Sequence, residues 1–97
     1  MKVVELNELK AHLRIEHDEE DVLLESLLMQ SEAAACDFCH LDFREMAPAP
    51  EPVRLAVLLM ASYFYENRDA ADHSAYTTMM SAFHALLYPH RAVEGMF

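Results

Sequence analysis

The segment Cys36-Asp37-Phe38-Cys39-His40 carries the most suggestive chemistry in the chain. Its C-x-x-C-H spacing is the attachment pattern of c-type haem, in which two thiols add to the vinyl groups and the next histidine binds iron. A zinc site is the other candidate chemistry: Cys36, Cys39 and His40 supply three ligands, with His84 or His73 as a fourth. Two observations oppose these readings. Haem is attached outside the cytoplasm, and the opening MKVVELNELK has no long apolar run that reads as an export signal. Zinc knuckles place their first cysteine pair in a turn, whereas this pair falls on a continuous helical pattern. Small thiols pack well at such positions, so packing is the favoured role, and neither a cofactor nor a metal is expected.

The remaining polar groups form no recognisable catalytic set. His12, His17, His40, His73, His84 and His90 are scattered, and none lies in a Ser/His/Asp or Cys/His motif. The acidic run Glu16 to Asp21 lacks the glycine and alternating ligands of a calcium-binding loop. It reads as the start of a helix, where carboxylates meet unpaired N–H groups and the positive end of the dipole. The seven methionines suit packing or an interface. No enzymatic activity is expected.

These residues sit on elements that the periodicity delimits. Val3 and Val4 make a short extended start. Leu6, Leu9 and Leu13 mark a first helix over 6–13, capped by Glu5 or Asn7, and residues 14–17 connect it onward. Asp18 is the expected N-cap of a long helix over 19–41, with Leu24, Leu28, Ser31, Ala35 and Phe38 along one stripe. Its Ala33-Ala34-Ala35 run suits close helix approach. Pro48, Pro50 and Pro52 stiffen a loop over 42–52, and Pro52 falls in the first turn of a third helix over 53–67. That helix is apolar almost all round in its middle, from Leu55 to Tyr65, and is expected to be buried on every side, as the central helix of the fold or as the helix that also faces a neighbouring subunit. Ser74 or Thr77 caps a fourth helix over 76–88, stopped by Pro89. The fold class is therefore all-α: one small domain over 1–97 of about four helices, with 91–97 as a flexible tail.

Composition narrows the function. A chain of 97 residues with 54% hydrophobic residues has more apolar surface than so small a core needs, which points to a protein partner. One glycine argues against tight β turns and phosphate loops. A formal net charge of −10 disfavours charge-driven binding to DNA or anionic membranes, but suits a wall that DNA passes without sticking. The longest apolar run, Leu55 to Ala61, is too short to span a bilayer. The chain reads as cytoplasmic, with reduced cysteines.

Tyr63-Phe64-Tyr65-Glu66-Asn67-Arg68 closes the third helix, with aromatics for the core and Arg68 near the negative dipole end. Arg68 is a candidate partner of Glu16, and Arg14 of Glu66. Arg14, Tyr65, Glu66, Asn67, Arg68, Met96 and Phe97 are the candidate structural or interface residues. The expected contact surfaces are the outer side of the long helix, the 42–52 loop and the apolar tail.

Three stretches in order carry a family resemblance. Leu6-Asn7-Glu8-Leu9-Lys10-Ala11-His12-Leu13-Arg14-Ile15 leads into the acidic cap and Asp21-Val22-Leu23-Leu24. Pro52-Val53-Arg54-Leu55-Ala56-Val57-Leu58-Leu59 leads to Tyr65-Glu66-Asn67-Arg68. Leu86-Leu87-Tyr88-Pro89-His90-Arg91 closes the set. Together they resemble the small head–tail connector proteins of tailed phages and prophages, over almost the whole chain. The resemblance implies a structural subunit that assembles with itself into a ring of about twelve copies. It implies docking beneath the portal protein at the virion head–tail junction, an extended DNA channel without specific DNA binding, and a platform for a tail-completion protein. It implies no catalysis and no cofactor, and assembly in the host bacterial cytoplasm. The C-x-x-C-H segment departs from the family pattern, and alignment across the 68–75 loop is open. Two alternatives stand beside it: an acidic helical adaptor or regulator binding a protein partner, and a metal or haem protein built on Cys36, Cys39 and His40.

Overall fold

The computed structural model describes residues 3–46, 48–68 and 73–91. Among them the secondary structure is helical throughout. The elements are α1 (Leu6–Leu13), α2 (Asp21–Cys39), a 3₁₀ turn (Phe43–Glu45), α3 (Glu51–Glu66), α4 (His73–Leu87) and a 3₁₀ turn (Tyr88–His90). Four α-helices make an all-α fold, as the periodicity predicts. α3 lies in the middle, with α2 and α4 packed along it and α1 resting on α2 and α3.

The core is built from helix stripes at three- and four-residue spacing. α2 contributes Leu24, Leu28, Ala35 and Cys39; α3 contributes Val53, Ala56, Val57, Met60 and Ala61; α4 contributes Met79, Phe83 and Leu87. Fully buried alanines at 35, 56 and 61 let the helix backbones approach closely. Only part of the expected Ala33-Ala34-Ala35 contact forms: Ala35 is buried, Ala34 half-buried, and Ala33 faces outward.

Several element ends differ from the sequence reading, each for a local reason. α2 starts at Asp21, not 19, and Asp18 does not cap it. Glu20 holds the N-cap position, while the Asp18 carboxylate accepts from Lys10 Nζ at 2.6 Å. α2 ends at Cys39, not 41, because His40 turns left-handed (φ 58°, ψ 34°). The Leu41 amide then donates back to the Cys36 carbonyl at 3.2 Å, the closing bond of a Schellman end. α1 ends the same way: Arg14 is left-handed (φ 61°, ψ 41°), and the Ile15 amide reaches the Lys10 carbonyl at 2.9 Å.

α3 begins at Glu51, two residues before the expected start, because the Pro50 carbonyl already accepts from Val53 and Arg54. It is not buried on every side: Leu55 is 48% exposed, and Leu58, Leu59 and Tyr63 are half-buried. α4 begins at His73, not 76. Ser74 and Thr77 lie inside it, and Thr77 and Thr78 donate back to the carbonyls of His73 and Ser74.

The N-terminal segment is held by polar bonds. Val3 and Val4 form a bend, not an extended strand, and both are buried. The Glu32 carboxylate on α2, 4% exposed, accepts the amides of Val3 (2.5 Å) and Val4 (3.2 Å). From α3, Arg54 Nε donates to the Val3 carbonyl at 3.4 Å, Nη2 to Glu8, and Nη1 to Glu51 at 3.1 Å. Glu8 in turn accepts the Glu5 amide at 3.0 Å, closing the N-terminus of α1.

Glu32→Ala leaves two buried amides without their charged acceptor. It is expected to cost about 2 kcal/mol, on the order of 10 °C in Tm, with Glu32→Gln intermediate. Thermal melts followed by circular dichroism check this; an unchanged Tm for the alanine variant would remove Glu32 from the fold's essential contacts. Arg14→Gly and His40→Gly relieve left-handed backbone at residues that carry a Cβ, and each is expected to raise stability by about 0.5–1 kcal/mol. The same melts decide it.

Candidate functional site

The candidate chemistry around Cys36 and Cys39 does not assemble. The Cys39 thiol is buried and donates to the Leu87 carbonyl at 3.5 Å, and burial pushes its pKa up, toward the neutral thiol. A metal or haem linkage needs the opposite. Cys36 faces Asp42 at 4.0 Å. His40 is exposed at the end of α2, and the His84 ring stacks on Phe38 with centroids 4.4 Å apart. His73 lies at the first position of α4, far along the chain from that ring. Among the described residues no three His, Cys, Asp or Glu side chains converge where a metal ion would sit. Arg91 closes this end: its Nε donates to the Phe38 carbonyl at 2.9 Å, and its guanidinium lies 5.0 Å from the Phe38 ring.

The polar cluster at the other end of α2 joins residues that the sequence reading placed together only in part. Tyr65 donates its hydroxyl to Glu20 Oε1 at 2.6 Å, and Arg68 Nη1 reaches Glu20 Oε2 at 2.7 Å. The Arg68 guanidinium also lies 4.7 Å from the Tyr65 ring. Glu20, not Glu16, is therefore the acidic partner of Arg68. Arg14 and Glu66 form no ion pair; Arg14 closes α1 through its backbone, and Glu66 stays exposed. Asn67 spends its side-chain amide on the Tyr63 carbonyl at 2.9 Å, closing α3. Met96 and Phe97 lie outside the described residues. Lys10 adds a second tie, reaching Asp18 at 2.6 Å and Asp21 at 2.8 Å, so the connector between α1 and α2 is fixed at both ends.

Two surfaces remain that the fold positions but does not use. One is the outer face of α2. Val22, Ser26, Met29 and Ala33 share it, at steps of four, three and four residues. Val22 is 83% exposed and Met29 65%. The other is an open groove of about 530 Å³ between α3 and α4, closed at one end by His12 of α1. Leu59, Ser62, Thr78, Met79 and Ala82 line it. The α2 row is uncharged, the groove mixes apolar side chains with Ser62, Glu66, Asn67 and Thr78, and both lie on helices.

Comparison with known proteins bears on the same question. The sequence model described as phage gp6-like head–tail connector protein matches residues 3–91. The chain belongs to this connector family. It is a family of structural connectors. No curated protein and no solved structure matches the chain. Among the described residues no helix is long and apolar enough to cross a membrane.

Sequence reasoning missed Glu32, Arg54 and Glu20 as positioning residues in this connector. Glu32 had one signal: a carboxylate on the apolar stripe of α2, one position from Ser31. Arg54 had only its local pairing with Glu51 and Glu20 had none, since the partners that make them positioning residues lie 46 to 51 and 45 to 48 residues away.

The hydroxyl of Tyr65, and then Arg68, hold the Glu20 carboxyl below the usual carboxylate range. A carboxylate whose pKa is lowered by folding stabilises the fold above its unfolded pKa, and loses that contribution as pH falls through the lowered value. Tyr65→Phe removes the larger cause. The variant is expected to melt below wild type at neutral pH, with the two Tm curves converging between about pH 5 and about pH 3. Curves that stay parallel to the acid end would show that the Tyr65–Glu20 contact does not contribute.

Proposed function

We propose that the chain is a ring-forming subunit of the phage head–tail junction. About twelve copies assemble, each presenting one patch to one neighbour and a different patch to the other, so that rotation closes the ring. The ring docks beneath the portal protein, extends the DNA channel and offers its far side to a tail-completion protein. Assembly takes place in the bacterial cytoplasm, before the virion is complete.

The observation that carries this reading, beside the family match, is the uncharged and exposed outer face of α2 on a chain of net charge −10. A free subunit gains nothing from exposing Val22 and Met29, whereas a ring covers them. The acidic surface left uncovered suits a channel: phosphates are repelled from it and slide without being captured.

The whole chain, 1–97, acts as one unit in this reading, and the tail over 91–97 orders on docking to the portal. Arg91 is its anchor, through the Phe38 carbonyl. Met96 and Phe97 supply the apolar contact, while Arg14, Tyr65, Glu66, Asn67 and Arg68 support the surfaces between subunits.

Native mass spectrometry of the protein alone and with the portal ring tests the assembly. A closed species of many copies on the portal is expected, and a one-to-one complex with a different, basic protein would favour an adaptor instead. Deleting residues 92–97 is expected to abolish portal capture while leaving the helical melt unchanged; a truncated protein that still completes virions would refute the role of the tail.

A further inference from the structure

The two unused surfaces have opposite shapes and matching lengths. On α2 the exposed row Val22, Ser26, Met29, Ala33 spans twelve residues, about 16 Å of helix. It is a ridge, with Met29 as its tallest central side chain. From Val22 to Cys36 the charged residues are Glu25 and Glu32: Glu25 is half-buried at the edge, and Glu32 is turned inward onto Val3 and Val4. On α3 the wall of the groove runs through Leu59, Ser62 and Glu66. Leu55 extends that line by one turn, giving the same steps of four, three and four residues. Opposite it, α4 presents the short side chains Ala75, Thr78 and Ala82, with the largely buried Met79 beside them. Small residues facing Leu59 and Ser62 leave a slot for a helix.

Chemistry and charge select the occupant. A small polar ligand has little to hold it, because the Asn67 amide is already spent on Tyr63, and His12 and Glu66 are exposed. A basic partner would seek the acidic surface, not these two faces. A second copy brings the same charge of −10 and is repelled wherever acidic faces meet. It can approach closely only where carboxylates are sparse: the ridge row has none, and the groove lining has Glu66 with His12 beside eight uncharged residues.

The geometry points to a heterologous contact between copies: the α2 ridge of one chain seats in the α3–α4 groove of the next, with Met29 entering beside Thr78 and Ala82. Because ridge and groove are different surfaces with no residue in common, each added copy leaves a free ridge and a free groove, and the series ends only when rotation closes it. This assigns the surfaces between subunits and rests on the connector reading above.

The test uses the full chain and two variants at exposed positions, Met29→Glu in the ridge and Ala82→Glu in the groove, with circular dichroism melts to verify folding. Self-association is read by mass photometry and sedimentation, alone and on the portal ring. Each variant by itself is expected to weaken association by about a hundredfold, since a lone carboxylate would be buried without a partner. An equimolar mixture is expected to give two-chain species that grow no further, because one variant keeps an intact groove and the other an intact ridge.

Variants that associate like wild type overturn the inference. So does a mixture that stays monomeric, or loss of association by Met29→Glu alone, which would mean that ridge meets ridge. If Ala82→Glu abolishes portal capture but not self-association, the groove belongs to the portal: the inference fails and the connector reading stands. A wild-type chain that never associates, even on the portal, fails both.

Discussion

Glu32 sets the position of the N-terminal third of the molecule. A carboxylate buried to this degree is costly unless it is hydrogen-bonded, and here Oε2 accepts the amides of both Val3 and Val4. Arg54 takes the Val3 carbonyl and Glu8, so the segment before α1 is gripped from α2 and α3 at once. α1 has eight residues and one fully buried leucine. A helix this short is marginal by itself, and polar anchoring supplies what its small apolar face does not. Once α1 is placed, Lys10 fixes the connector through Asp18 and Asp21, and His12 closes one end of the α3–α4 groove.

Charge is segregated with the same economy. The carboxylates gather where they cap, clamp or face solvent: Glu8 on the α1 terminus, Glu20 on Tyr65 and Arg68, Asp42 on Arg44, Glu32 on the N-terminal amides. That leaves the outer row of α2 uncharged on a strongly acidic molecule, and Glu66 as the carboxylate among the residues that line the groove. An acidic protein stays dispersed through self-repulsion, and the proposed contact between copies uses the faces where carboxylates are fewest.

The helix ends show how a chain with a single glycine, at position 95, stops its helices. Glycine usually takes the left-handed residue after a helix. Here Arg14 and His40 take it, and the amides of Ile15 and Leu41 close the turns behind them. His40 thereby acquires a backbone role that its place in a C-x-x-C-H spacing does not suggest. Cys39 points into the core toward the last carbonyl of α4, and the Phe38 ring is covered by His84 and Arg91. Three residues adjacent in sequence thus face three different environments, which is why the motif forms no site.

Local patterning determined the number and class of the helices, the stripe Leu24–Leu28–Ala35, the proline-marked start of α3 and the end of α4 before Pro89, because each depends on neighbours within one or two turns. The order of three stretches also sufficed for the family. Helix ends were less legible: Asp18 has the chemistry of a cap, but Lys10 claims its carboxylate across a turn, and Ser74 and Thr77 were absorbed into α4. Only the tertiary structure decided that Arg68 meets Glu20 and not Glu16, that Glu32 faces inward, and that Leu55 and Met29 are left outside while equally apolar neighbours are covered. Those outcomes depend on which helix lies against which. Contacts 28 to 51 residues apart in sequence set that arrangement, and no periodicity within a single helix encodes them.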